Sequence, residues 1–156
     1  IIYLILFLHW SHSNRVVIDK SNQTTLKYYF SLLQFITLPP IQNEKANKNA
    51  YACVEETGLT SEALTEAQNG NFIDDEALKK FTHCFFEKAD IVTSDGKLNI
   101  DVALAKLPPG IDKDATKVLL ERCKSKTGKD ATDTVYEMVK CYASGTKVHI
   151  KFDFKI

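Results

Sequence analysis

The chain has 156 residues, 44% hydrophobic and 26% charged, the balance of one globular domain with a segment attached. Its 20 basic and 20 acidic side chains cancel, which excludes the basic field a nucleic-acid binder needs. Its apolar runs stop short of the roughly 18–20 residues that span a bilayer, which argues against a membrane anchor.

Residues 1–42 differ in character from the rest of the chain. Ile1 to Trp10 is almost continuously apolar, and a polar stretch then runs to Thr25. Lys27 precedes a mostly apolar run from Tyr28 to Leu38, closed by Pro39-Pro40, the pattern of a secretory signal core. We therefore expect this segment to be partly signal-peptide-like or non-native, with cleavage near residues 39–48. The sequon Asn22-Gln23-Thr24 lies upstream of that core and is expected to stay unmodified. The remaining 114 residues carry 17 basic and 19 acidic side chains, a mildly acidic domain with room for one modest core.

Residues 43–145 read as helix after helix. A first helix over 45–56 carries Cys53 and is ended by Gly58. Thr60 caps the run to Gln68, with Glu62 in its first turn and Gly70 past its end. Asp74, Asp75 and Glu76 set three acids at the positive end of the next helix, which the helix dipole favours. There Leu78, Phe81 and Phe85 share one face at a 3.6-residue period, bordered by Cys84. Asn99 caps a short helix to Leu107, stopped by Pro108-Pro109-Gly110. Ala115, Val118, Leu119 and Arg122 give the stripe of the following helix, with Cys123 beside it and Gly128 as its breaker. Asp130 or Asp133 opens the last helix, whose stripe is Val135, Met138, Val139 and Tyr142.

The tail, residues 146–156, changes period. Val148, Ile150, Phe152, Phe154 and Ile156 alternate with polar residues, and no other segment reads as a partner strand. An extended arm laid across the helical body would bury its apolar side; a frayed or non-native end is the alternative.

Motifs for catalysis are missing: there is no H-E-x-x-H, Walker loop, G-x-S-x-G or G-x-G-x-x-G. His9 and His12 fall in the N-terminal segment, His149 lies in the tail, and His83 is read as a surface or hydrogen-bonded core residue. The chain is thus read as a non-enzyme, without cofactor or metal. Asp95 to Asp101 faintly imitates a calcium loop, but with Gly96 at its sixth position Ile91 and Val102 fall where ligands belong. A turn followed by an N-cap is the better account.

Cys53, Cys84, Cys123 and Cys141 are separated by 30, 38 and 17 residues. None forms the close pair from which zinc sites are usually built, and each lies in or beside a predicted helix. Such a set suggests disulfides stapling helices in an oxidising compartment.

In this order and spacing the chain resembles the insect odorant-binding proteins (the PBP/GOBP family), in their four-cysteine "Minus-C" type. The resemblance runs from about Tyr51 to Tyr142. It is carried by Cys53 with Glu56-Thr57-Gly58, Asn71-Phe72 before Asp74-Asp75-Glu76, Phe81-Thr82-His83-Cys84, and Asp95-Gly96-Lys97-Leu98. Cys123 and the stretch from Asp130 to Tyr136 leading to Lys140-Cys141-Tyr142 complete it. The six-cysteine pattern of that family would put its second cysteine at Lys80 and its fifth at Thr132. The resemblance implies an all-α, six-helix shell and the pairs Cys53–Cys84 and Cys123–Cys141. It also implies a secreted carrier of small hydrophobic ligands such as odorants or pheromones, in a fluid such as sensillum lymph. A chemosensory receptor is a further partner it implies, and the expected state is a monomer or weak homodimer. The candidate ligand residues are Phe72, Ile91, Leu98, Val102, Leu119, Val135, Met138 and Tyr142, with Phe152 and Phe154 as a lid; the same apolar stripes also suit a plain core. The second reading of the residues is a secreted helical interaction protein that contacts a receptor through its surface.

Overall fold

Pro39-Pro40 opens a helix instead of closing the segment before it. A proline at the first helical position lacks only an N–H that would be unpaired there anyway, and α1 accordingly spans Pro40–Thr57, five residues longer at its start than expected. The protein, as a computed structural model, is described over residues 35–152 and 154, all within the unit Gln34–Ile156. The apolar run from Ile1, the sequon at Asn22, most of the signal-like core and Ile156 lie outside the described residues.

Five further helices come after it: α2, Ser61–Gln68; α3, Glu76–Lys88; α4, Ile100–Ala105; α5, Lys113–Cys123; and α6, Ala131–Gly145. Their starts are set by side chains that accept orphan backbone N–H groups. Thr60 accepts from Ala63, Asp75 from Leu78, Asn99 from Val102, Asp112 from Asp114 and Ala115, and Asp130 from Asp133. Gly58 ends α1 in the left-handed region, at φ 67°, where its N–H donates to the Val54 carbonyl. The Asp95-Gly96 turn and the Asn99 cap are as expected: the Gly96 N–H donates to the Thr93 carbonyl at 2.9 Å, and Val92 bridges Leu98. No helix among the described residues is long and apolar enough to cross a membrane.

The core forms where α3 packs against α1 on one side and α6 on the other. α5 departs from its predicted stripe. It buries Thr116, Leu120 and Cys123, at i, i+4 and i+7, while Val118 is 73% exposed and Ala115 and Arg122 are also exposed. Cys123 is bonded to Cys141 of α6, and that bond turns its own face inward whatever the apolar residues elsewhere. The tail also differs from expectation, because it has a partner strand. β1, Phe35–Thr37, pairs in parallel with β2, His149–Lys151, Ile36 standing opposite Ile150. That partner lies inside the run predicted as a signal core, where its apolar character masked its strand character.

Candidate functional site

The interior of the helical shell is the candidate site, and Phe85 of α3 is its hub. Its ring stacks on Phe81 at 5.9 Å, one turn earlier, and meets Phe86 edge-on at 5.4 Å. Phe152 and Phe154 from the tail stack on each other at 5.2 Å, and each meets Phe85 edge-on at 5.6 Å. Such offset and edge-on contacts suit the positive rim and negative face of aromatic rings. Ala50, Cys53, Leu59, Leu64, Leu78 and Tyr136 complete this cluster, with Phe72 edge-on to Tyr136 at 5.9 Å. A second cluster of Val92, Val135 and Met138 adjoins it, and Phe86 packs on both.

The structure brings together most of the residues expected around a ligand. Phe72, Phe152 and Phe154 pack on the first cluster; Ile91 and Leu98 pack on the second, of which Val135 and Met138 are members. Val102, Leu119 and Tyr142 are half-buried and belong to neither, although the Tyr142 hydroxyl is itself buried and makes no hydrogen bond among the described residues. Phe81, Phe85, Phe86 and Tyr136 were not expected as site residues. The i, i+4 spacing of Phe81 and Phe85 was the available signal, but it equally describes a packed core.

Two disulfides frame this interior. Cys53–Cys84 joins α1 to α3 with Cα atoms 5.8 Å apart, and Cys123–Cys141 joins α5 to α6 at 5.6 Å. The α3–α6 seam, in contrast, has no disulfide across it and adds polar contacts to its apolar packing. The ring of His83 lies 3.1 Å from the Thr132 hydroxyl and 3.2 Å from the Thr93 carbonyl. The carbonyl only accepts, so Nε2–H donates to it. Thr132 is the residue standing where the six-cysteine pattern has a cysteine.

A charged cluster that sequence reading missed closes one end of the seam. Lys79 is buried, 7% exposed, and its ammonium is paired with Asp74 at 2.5 Å, Asp133 at 3.2 Å and Glu76 at 3.5 Å. Lys129 also reaches Glu76, at 3.1 Å. Hydrogen bonding to Lys79 holds the Asp74 carboxyl below its ordinary range. The Lys129 N–H and then Lys79 do the same for Asp133, and the carboxylates raise the ammonium of Lys79. Desolvation pushes the Tyr136 phenol up to about 12, and its hydroxyl donates to the Ile73 carbonyl at 2.6 Å. Phe72, Tyr136, Asp74, Lys79 and Asp133 line a cleft of about 390 Å³ with Glu137 and Lys140; of the expected ligand residues it holds Phe72 alone. No group of three or more His, Cys, Asp or Glu among the described residues is placed to hold a metal.

The comparisons agree with this architecture. The family model described as the PBP/GOBP family matches residues 37–144. The chain is 33% identical to general odorant-binding protein 56a of Drosophila melanogaster over 110 residues, 70% of this chain and 78% of that protein. Among solved structures it is similar to the fatty acid binding protein OBP56a from the oral disk of the blowfly Phormia regina. That likeness has a TM-score of 0.61 at 29% identity, covering 70% of this chain and 96% of that one. Odorant binding protein 7 of Anopheles gambiae, solved with an azo compound, matches with TM-score 0.61 and 29% identity over 69% of this chain and 88% of that one.

Proposed function

The chain belongs to the PBP/GOBP family, and we propose that it is a secreted carrier of the four-cysteine type, taking small hydrophobic ligands into the interior between α3 and α6. The observation that carries this reading is the aromatic interior itself. Phe85 is met there by two phenylalanines, Phe152 and Phe154, from a tail outside the helical shell. Rings delivered by a tail can withdraw without unfolding a helix, so they can act as a lid. Ligand would then lie against Phe72, Ile91, Leu98, Val135 and Met138, with Val102, Leu119 and Tyr142 at its margin. Binding would come mainly from apolar burial, at roughly 25 cal/mol per Å², and Met138 can adapt its shape to different ligands. The buried Tyr142 hydroxyl, which has no partner among the described residues, would bond a polar group on the ligand.

The relatives support the ligand class: one is named for fatty acid binding and another was solved with an azo compound, two small organic molecules of different chemistry. Two disulfides without a free cysteine among the described residues favour an oxidising, extracellular fluid such as sensillum lymph. In this reading residues 43–145 form the body of the carrier, 146–156 its lid and 1–42 the segment ahead of it, whose last residues begin α1, and a chemosensory receptor is the partner that receives the ligand. Titration of the folded, disulfide-intact chain with N-phenyl-1-naphthylamine tests it. Saturable fluorescence enhancement, reversed by a long-chain fatty acid, is expected; a folded chain that takes up no probe would sink the carrier reading.

A further inference from the structure

The tail that brings Phe152 and Phe154 to Phe85 is tied down by the opposite end of the described chain. After α6 the Thr146 hydroxyl donates to the Val148 carbonyl at 2.8 Å and turns the backbone into β2. β2 then pairs with β1: Phe35 with His149, Ile36 with Ile150, and Thr37 with Lys151. Two strands of three residues are too short to be stable alone, so each needs an anchor. For β1 it is the Ile36 side chain, which lies over the Gly110 turn before α5, and for β2 it is the pair of rings on Phe85.

We propose that β1 is a clasp that holds the C-terminal tail against the interior, so that the tail competes with ligand for as long as residues 35–37 are present and paired. This rests on the carrier reading above. A tethered competitor acts at high effective concentration, and apparent ligand affinity falls by the fraction of molecules whose interior is open. Loosening the ladder raises that fraction without altering the walls of the site. A cut just ahead of Pro39 would do the same and spare α1, because the carbonyl that accepts the Asn43 N–H at 2.9 Å belongs to Pro39 itself. Processing in this region would thus convert a self-occluded carrier into an open one.

The test uses the full chain and two substitutions, Ile36→Pro and Ile150→Pro, since either central residue can supply the ladder donors that proline lacks. Hydrogen exchange of the 149–151 amides (149 and 151 in Ile150→Pro) is expected to quicken at least ~10-fold in one or both variants, with α1–α6 unchanged. In the same variant the apparent Kd for N-phenyl-1-naphthylamine is expected to fall at least ~3-fold. Phe152→Ala with Phe154→Ala, in a chain that keeps β1, is expected to tighten probe binding likewise. Unchanged exchange in both proline variants overturns the clasp whatever the probe does. Quickened exchange with unchanged or weaker probe binding overturns the competition. If no form binds probe the carrier reading falls and the competition falls with it, while exchange still decides whether β1 restrains the tail.

Discussion

Lys79 shows how a charge comes to be buried in so small a domain. Its position on α3, beside Leu78 of the core face, carries its stem inward, and three carboxylates from two sides meet its ammonium. Asp74-Asp75-Glu76 was legible as a helix-start cluster, and Asp75 does cap α3. That Asp74 and Glu76 serve Lys79 was not legible, because the third partner, Asp133, comes from a helix more than fifty residues on. The cluster has a pH consequence. Unfolded, the two aspartates titrate near 3.8, and folded they titrate lower. As pH falls the unfolded chain therefore takes up protons first. The contribution of the cluster is complete above about pH 5 and is lost as pH drops through the folded values. Asp133→Asn is expected to be less stable than the parent at pH 7 but to lose less on acidification to pH 3, as urea unfolding at the two pH values would measure. A parent whose stability is flat over that range would refute the assignment.

At the scale of elements, the seam between α3 and α6 is a place where two core helices meet without a covalent tie. Beside its apolar packing, His83–Thr132 and Lys79–Asp133 hold it by contacts that water can replace. Lys80, exposed on α3, and Thr132, half-buried on α6, stand where the six-cysteine pattern has a third bridge. Lys80→Cys with Thr132→Cys is expected to oxidise spontaneously and to stabilise the fold by up to about 4 kcal/mol, less the lost His83 bond. Mass analysis and thermal unfolding check it; two persistent free thiols would mean the Cα atoms are too far apart. The starts of α2, α3, α4 and α6 were well read from sequence because a cap is a local event within four residues. The inward face of α5 was misread for the opposite reason. Ala115, Val118 and Leu119 are no more apolar than a solvated helix tolerates, and only the Cys123–Cys141 bond decides which side turns in.

For the whole molecule, stability divides between a modest core and two covalent staples. Removing Cys123–Cys141 by paired serine substitution is expected to cost about 3 kcal/mol by chain-entropy arithmetic, a large share of the ~5–15 kcal/mol of a typical domain. Thermal unfolding of that variant beside the parent measures it, and a loss well under 1 kcal/mol would mean that packing alone fixes α5 on α6. By itself the sequence determined the helical class, the punctuation of most helices though not the starts of α1 and α5, the cysteine pairing through resemblance, and the apolar supply for a site. These are local or pairwise properties, written in caps, periods and counts. Tertiary structure alone decided that Phe85 is the hub, that Lys79 is enclosed by acids, and that residues 35–37 pair with the tail. The reason is distance along the chain. Each of these depends on a partner more than fifty positions away along the chain, and more than a hundred for residues 35–37. Only the closing of the shell brings such groups into contact.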